Sequence, residues 1–323
     1  MKLHRKLSPC FPSANQVINA NVEVNIVRYG DQGGNLVIAG GNNGIIRVYQ
    51  RYNDDRPMDL VLQREFNSGT QGAAVMDLDV SPCLDEMVTV CDNPDGKYAR
   101  IWSISRGVKI TELALTSIRC EGAYRFKQCR FAAAGGWLAG GGGGRRAPFF
   151  LYATHQPVVV NDKNKFAFMS VWGPLDPVVG TDYQLIDVVD LGTNFAAFGT
   201  RPTKMRPTAL CTSSCGFFVG VGSGEGAVTV YRLNDQTHKF SRIYNLPKAH
   251  SFFVTDIAFL PRNRALKTGH QFELLSIGVD NMLRYHRAPH RPIYLRLERL
   301  YKLLSVFLLI FICDRVFLLL SLF

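Results

Sequence analysis

The residues with chemistry to offer are few. His250 and Asp280 stand thirty positions apart: the histidine in a Lys-Ala-His step ahead of an apolar run, the aspartate in a later tight turn. An imidazole N–H and a carboxylate placed this way can form a charge-assisted hydrogen bond that closes a loop onto a turn. The alternative is an ordinary loop histidine. A second set lies in residues 132–148, AAAGGWLAGGGGGRRAP. Glycine at this density cannot be core strand. Its amides permit close approach of a ligand, and Gly141, Gly142, Gly143, Arg145 and Arg146 are the residues that would meet an acidic protein surface. The alternative is a surface linker. The run does not end in Gly-Lys-Ser/Thr, so it is no P-loop.

Beyond these the chain carries no catalytic constellation. Its serines, cysteines and seven histidines fall into no nucleophile elbow, papain-like context or H-E-x-x-H spacing. Eight cysteines are scattered; Cys211 and Cys215 lie four apart, with no nearby His or Cys to complete a zinc site. No metal or cofactor is expected. Free cysteines in apolar strand patterns fit a reducing compartment. The residues point to a binding surface, a regulator and not an enzyme.

The elements that would hold them repeat. Four segments share one shape: residues 35–50, 85–104, 216–233 and 272–287. Each is a strand, a tight turn rich in Gly, Asn or Asp, a second strand, and an aromatic near its end. A further unit ends at KFAFMSVWGP. The aromatics are Tyr49, Trp102, Trp172, Tyr231 and Tyr285, spaced by 53, 70, 59 and 54 residues. Blades of the WD type repeat every ~40 to 45 residues, so these units carry long loops. MDLDVSP, TALCTSS and TDIAFLP precede the paired strands and read as inner strands of blades. The fold class is therefore all-β, a WD-repeat β-propeller over residues 22–290, with His250 and Asp280 as a structural pair of its last blade. Five visible units are few for a closed ring, so either a blade is degenerate, as residues 183–198 would be, or the propeller is incomplete, with its N-terminal blades absent from this chain.

The last twenty-one residues, LLSVFLLIFICDRVFLLLSLF, differ in kind. Sixteen are Leu, Ile, Phe or Val, which favours membrane insertion by about 5 to 10 kcal/mol. Asp314 and Arg315 oppose it by about 5 to 7 kcal/mol. The balance favours a transmembrane anchor over residues 303–323, with a membrane-adjacent hairpin or buried helix as the alternative. A basic juxtamembrane segment at 291–302 precedes it, and residues 1–21 form an N-terminal extension without the apolar core of a secretory signal. Positive charge on the N-terminal flank places the propeller on the cytosolic side. The net charge of +11 is read mainly as this flank, and nucleic acid is not an expected partner.

One family matches the order of these pieces. AYRFKQCRF, KAHSFFVTDIAFLP and FELLSIGVDN, with GGNNGIIRVY ahead of them and the apolar end behind, resemble the prolactin regulatory element-binding protein family. These are endoplasmic-reticulum guanine-nucleotide exchange factors that start COPII coat assembly. The resemblance implies a seven-bladed propeller in the cytosol, held by a single pass in the endoplasmic-reticulum membrane. It implies exchange of GDP for GTP on the small secretion-associated Ras-related GTPase of the COPII coat. The family's exchange loop is a glycine run followed by small residues, a lysine and Gly-Ile. No such segment precedes Val22, and WLAGGGGGRRAP matches only the glycines. Two alternatives stand beside the exchange factor: a non-catalytic propeller adaptor on the same membrane, and a DNA-binding transcriptional regulator.

Overall fold

The computed structural model describes residues 23–30, 35–51, 60–69, 72–92, 95–115, 124–133, 149–159, 167–174, 183–191, 206–234, 237, 239–261 and 269–289. The N-terminal extension, the basic flank and the 303–323 segment lie outside them. Among the described residues no helix is long and apolar enough to cross a membrane.

Short β-branched and aromatic runs punctuated by Gly, Asn and Asp fold into antiparallel sheets, one blade each. Blade 1 holds β1 (Val24–Tyr29), β2 (Leu36–Gly41), β3 (Ile45–Arg51) and β4 (Leu60–Asn67). Blade 2 holds β5 (Val75–Val80), β6 (Glu86–Cys91), β7 (Tyr98–Ser103) and β8 (Val108–Ala114). Blade 3 holds β9 (Tyr124–Ala133), β10 (Phe149–Pro157), β11 (Phe168–Pro174) and β12 (Tyr183–Asp190). Blade 4 holds β13 (Pro207–Thr212), β14 (Phe218–Ser223), β15 (Val228–Leu233) and β16 (Phe240–Leu246). Blade 5 holds β17 (Val254–Phe259), β18 (His270–Gly278) and β19 (Leu283–Pro289). The described residues thus form five blades, against the seven that the family resemblance implies. β12 corrects the degenerate-blade reading: Tyr183–Asp190 pairs with β11 as the outer strand of blade 3.

The middle strands are buried on both faces, as in LVIAGG of β2 and FVGVGS of β14, because each sheet is sandwiched between its neighbours. The core is therefore a series of inter-blade joints. Ile46 and Val48 of blade 1 pack on Val75, Leu78 and Met87 of blade 2. Ala99 and Ile101 meet Phe126, Cys129 and Phe131, Met169 and Val171 meet Leu210 and Val219, and Val228 and Val230 meet Val254, Ile257 and Leu274.

The inner strand of each blade is an edge strand, and its free main-chain groups need partners. Side chains of adjacent inner strands supply them. Asn25 Nδ2 donates to the Val75 carbonyl and Arg28 Nε to that of Leu78. Asp77 Oδ2 accepts from Cys129 N at 2.9 Å, and Asp79 Oδ2 from Phe131 N at 2.8 Å. Gln128 Nε2 donates to the Thr208 carbonyl, and Thr208 Oγ1 to that of Val254.

Candidate functional site

The turn joining the two middle strands of a blade forces one residue into left-handed backbone. Gly44 (φ 79°) and Gly226 (φ 80°) occupy that position in blades 1 and 4, and Asn281 (φ 57°) in blade 5. Asparagine is among the side chains that tolerate it best. The preceding residue folds its side chain back over the turn: Asn43 Oδ1 accepts from Ile45 N at 3.1 Å, and Asp280 Oδ1 from Met282 N at 3.2 Å. This fixes Asp280 at the rim of blade 5, aimed at the loop that enters β17.

His250 lies in that loop. Its Nδ1 is 2.9 Å from Asp280 Oδ1, and Asp280 Oδ2 also accepts from Ser251 N at 3.0 Å. The structure thus brings together the two residues singled out in the sequence, and it extends the pair. His250 Nε2 is 2.7 Å from Ser276 Oγ, Ser276 Oγ is 2.7 Å from His286 Nε2, and His286 Nδ1 is 2.9 Å from Tyr244 Oη. Burial, with His250 and Arg284 nearby, pulls the His286 pKa down to about 4, so this imidazole is neutral. With His286 neutral and Asp280 accepting, the contacts fit one complete order of donors. Tyr244 O–H donates to His286 Nδ1, His286 Nε2–H to Ser276, Ser276 O–H to His250 Nε2, and His250 Nδ1–H to Asp280. Burial tends to raise the Asp280 carboxyl, but hydrogen bonds from His250, Ser251 N and Met282 N hold it below the usual carboxylate range.

This chain is a clasp. It links the entry loop, β18, β19 and the turn between them in blade 5, and β16 of blade 4. No local pattern marks Ser276, His286 or Tyr244, and the spacing of aromatics points to Tyr285 as the terminal aromatic of the blade. The structure corrects that: Tyr285 is exposed and His286 is buried in the aromatic position. The signal was a count of six residues from the turn side chain to the buried ring: Asn43 to Tyr49, Glu225 to Tyr231, Asp280 to His286.

Gly226 shows how tightly the rim is packed. Its carbonyl accepts from His250 N at 2.9 Å, and a Cβ there would stand 2.1 Å from the His250 carbonyl oxygen. Gly226→Ala should cost about 2 to 4 kcal/mol, combining left-handed strain with a backbone clash, as a lowered urea midpoint at unchanged m-value.

An exposed apolar patch borders the clasp. Phe252 and Phe253 in the entry loop and Val279 and Met282 in the turn are all solvent-exposed, and Val279 N donates to the Phe253 carbonyl. A rigid rim carrying exposed aromatics has the character of a protein-binding surface. The glycine run falls outside the described residues, and Gly141, Gly142, Gly143, Arg145 and Arg146 with it. The residues flanking it, Ala133 and Phe149, are paired at the end of blade 3 opposite the rim that bears His250. Among the described residues no cluster of His, Cys, Asp or Glu could hold a metal ion, and Cys211 and Cys215 are free and buried.

A second polar cluster joins blades 1, 2 and 3. Asp77 lies between Arg130 Nη1 at 2.6 Å and Arg28 Nη2 at 3.5 Å. Burial pushes the neighbouring Asp79 carboxyl up to about 6, against the opposing pull of Arg130 and the Phe131 N–H. Apart from Arg130 Nη1 donating to the Cys129 carbonyl of its own strand, the polar contacts here run between neighbouring inner strands, so the cluster is structural.

No family profile matches the chain. It is similar to the guanine nucleotide-exchange factor SEC12 of Rattus norvegicus and to that of Mus musculus, 32% identical over 96 residues in each case. The match covers 28% of this chain and 22% of the rat protein. Among solved structures, the β-propeller domain of Myceliophteria thermophila Cps50 (Swd1) superposes with a TM-score of 0.51 at 15% identity, covering 83% of this chain and 66% of that one. At that identity the likeness shows the fold: an all-β, WD-type propeller.

Proposed function

We propose that this chain is a guanine-nucleotide exchange factor for the small GTPase of the COPII coat, acting at the endoplasmic-reticulum membrane with its propeller in the cytosol and residues 303–323 as its single-pass anchor. The observation that carries this reading is the 96-residue likeness to SEC12 on a propeller fold. The mechanism needs no covalent chemistry and no cofactor. Nucleotide leaves a GTPase slowly because loop amides and magnesium clamp its phosphates. A propeller rim that binds the open, nucleotide-free form more tightly than the closed one speeds release, by tenfold for about 1.4 kcal/mol of differential binding. The rigid rim of blade 5 supports such use, since its apolar side chains are held by the clasp.

The test is release of fluorescent GDP from the COPII small GTPase on liposomes carrying the full chain. Release should accelerate at least tenfold over protein-free liposomes. Replacing residues 139–146 by a Gly-Ser linker should abolish this at an unchanged melting temperature if Gly141, Gly142, Gly143, Arg145 and Arg146 meet the GTPase. Full activity in that variant removes the glycine run from the site and leaves exchange standing. Binding of the GTPase without acceleration would overturn exchange in favour of the adaptor, a reading favoured by the run's lack of the family's lysine and Gly-Ile.

A further inference from the structure

Two turns of the molecule are built alike. In blade 2, Leu84 N donates to the Ser81 carbonyl at 2.9 Å and Glu86 N to Ser81 Oγ at 3.1 Å, with Cys83 Sγ 3.2 Å from that hydroxyl. In blade 4, Gly216 N donates to the Ser213 carbonyl at 2.9 Å and Phe218 N to Ser213 Oγ at 3.1 Å, with Cys215 Sγ 3.2 Å away. The two turns differ at the residue that must take left-handed backbone. Blade 4 places Gly216 there (φ 75°), and blade 2 places Leu84 (φ 63°). Glycine adopts this conformation freely, whereas a Cβ followed by a branched side chain is strained in it. Among the described residues the non-glycines with positive φ are Leu84 and Asn281, and asparagine tolerates the region. Little burial offsets the strain at Leu84, which is 38% exposed. A bulky apolar side chain kept in strained backbone and left in solvent points to a use outside the fold.

Its surroundings fit that use. Val80 pairs with Met87 at the end of blade 2 away from the Val75–Cys91 pair, so the turn lies on the rim opposite the clasp. In blade 1, β1 ends on the same rim at Tyr29, which pairs with Val37 and is 71% exposed. The two blades meet there, since Arg28 Nε donates to the Leu78 carbonyl. Pro82, beside Cys83 in the turn, is exposed as well. In blade 3 the same rim ends at the Ala133–Phe149 pair.

We infer that this rim, opposite the clasp, is the face that engages the small GTPase, with Leu84 as its apolar anchor and Tyr29 beside it. The inference rests on the exchange reading, which leaves two rims for the GTPase, and it goes further by choosing one. Phe252 and Phe253 on the clasp rim have no such backbone strain to explain. Leu84 does, and its turn is fixed by Ser81 through both the carbonyl and the hydroxyl. An apolar anchor on a fixed turn binds without first being ordered, which suits a partner held in its open form.

The test uses the full chain in detergent micelles and the nucleotide-free COPII small GTPase. Leu84→Gly should weaken GTPase binding at least tenfold and slow GDP release in step. Its melting temperature should be no lower than the parent's, because glycine suits the turn. Leu84→Asn, polar and tolerant of left-handed backbone, should behave the same way. Tyr29→Ser should weaken binding about threefold. Parent-like binding by both Leu84 variants would overturn the assignment of this rim. So would a melting temperature several degrees lower in Leu84→Gly, which would show that the side chain is kept for folding. Lost binding in Phe252→Ala with Phe253→Ala, beside parent-like binding in Leu84→Gly, would put the GTPase on the clasp rim instead. A parent chain that binds no GTPase would overturn the exchange reading and this inference with it.

Discussion

Asp77→Ala is expected to lower the free energy of unfolding by about 3 to 5 kcal/mol, the range for removing one partner of a buried ion pair. The Asp77 side chain is 4% exposed and that of Arg130 12% exposed, with 2.6 Å between Asp77 Oδ2 and Arg130 Nη1. The same oxygen accepts the Cys129 N–H. Truncation leaves a guanidinium and an edge-strand amide without this partner in a largely buried region. Asp77→Asn keeps an oxygen for the amide and should lose less. Urea unfolding at neutral pH measures both. A loss below 1 kcal/mol for the alanine variant would mean that the inner strands are held by apolar packing alone. A double variant, Asp77→Leu with Arg130→Met, should recover much of the loss, since apolar replacement of a buried pair is often neutral.

The second large effect depends on pH. His155 is buried, 2.6 Å from Ser170 Oγ through Nε2, with no hydrogen-bond partner for Nδ1 among the described residues. Phe126 covers its ring edge-on at a centroid distance of 4.6 Å. Burial drags its pKa from 6.5 to about 3. The folded state therefore holds the ring neutral while the unfolded state takes up a proton. The stabilisation is complete above the unfolded value of 6.5 and is lost as pH falls toward about 3. Near pH 4 the loss amounts to about 3 kcal/mol. Asp79 slopes the other way: its raised carboxyl favours the folded state as pH falls from about 6 toward 3.8. The experiment is therefore a comparison. His155→Leu should flatten the decline in stability between pH 6.5 and 4 by about 3 kcal/mol relative to the parent, because Asp79 contributes equally to both proteins. Parallel pH profiles would show that the histidine titrates alike in both states.

The strands and turns were legible because their signals are local. Runs such as VTVYRL and LVIAGG state their β character within six residues, and Gly44, Gly226 and Asn281 mark turns whose backbone few residues tolerate. The His250–Asp280 pair was legible for a related reason: both residues belong to one blade, at fixed offsets from its strands. Where local pattern ran out, so did the reading. The alternation in YQLIDVVD is equally compatible with a new blade or with an outer strand. Only pairing with β11 chose the second. Tyr285 and His286 are adjacent, and one points outward and the other into the clasp because strand side chains alternate. The register of β19 on β18 decides which. The Asp77–Arg130 contact, 53 residues apart and between blades, left no local trace. Chain chemistry alone told of the β-strands and turns. Which edges pair and which carboxylate meets which guanidinium followed only from stacking the blades, since those contacts join residues that no short-range pattern connects.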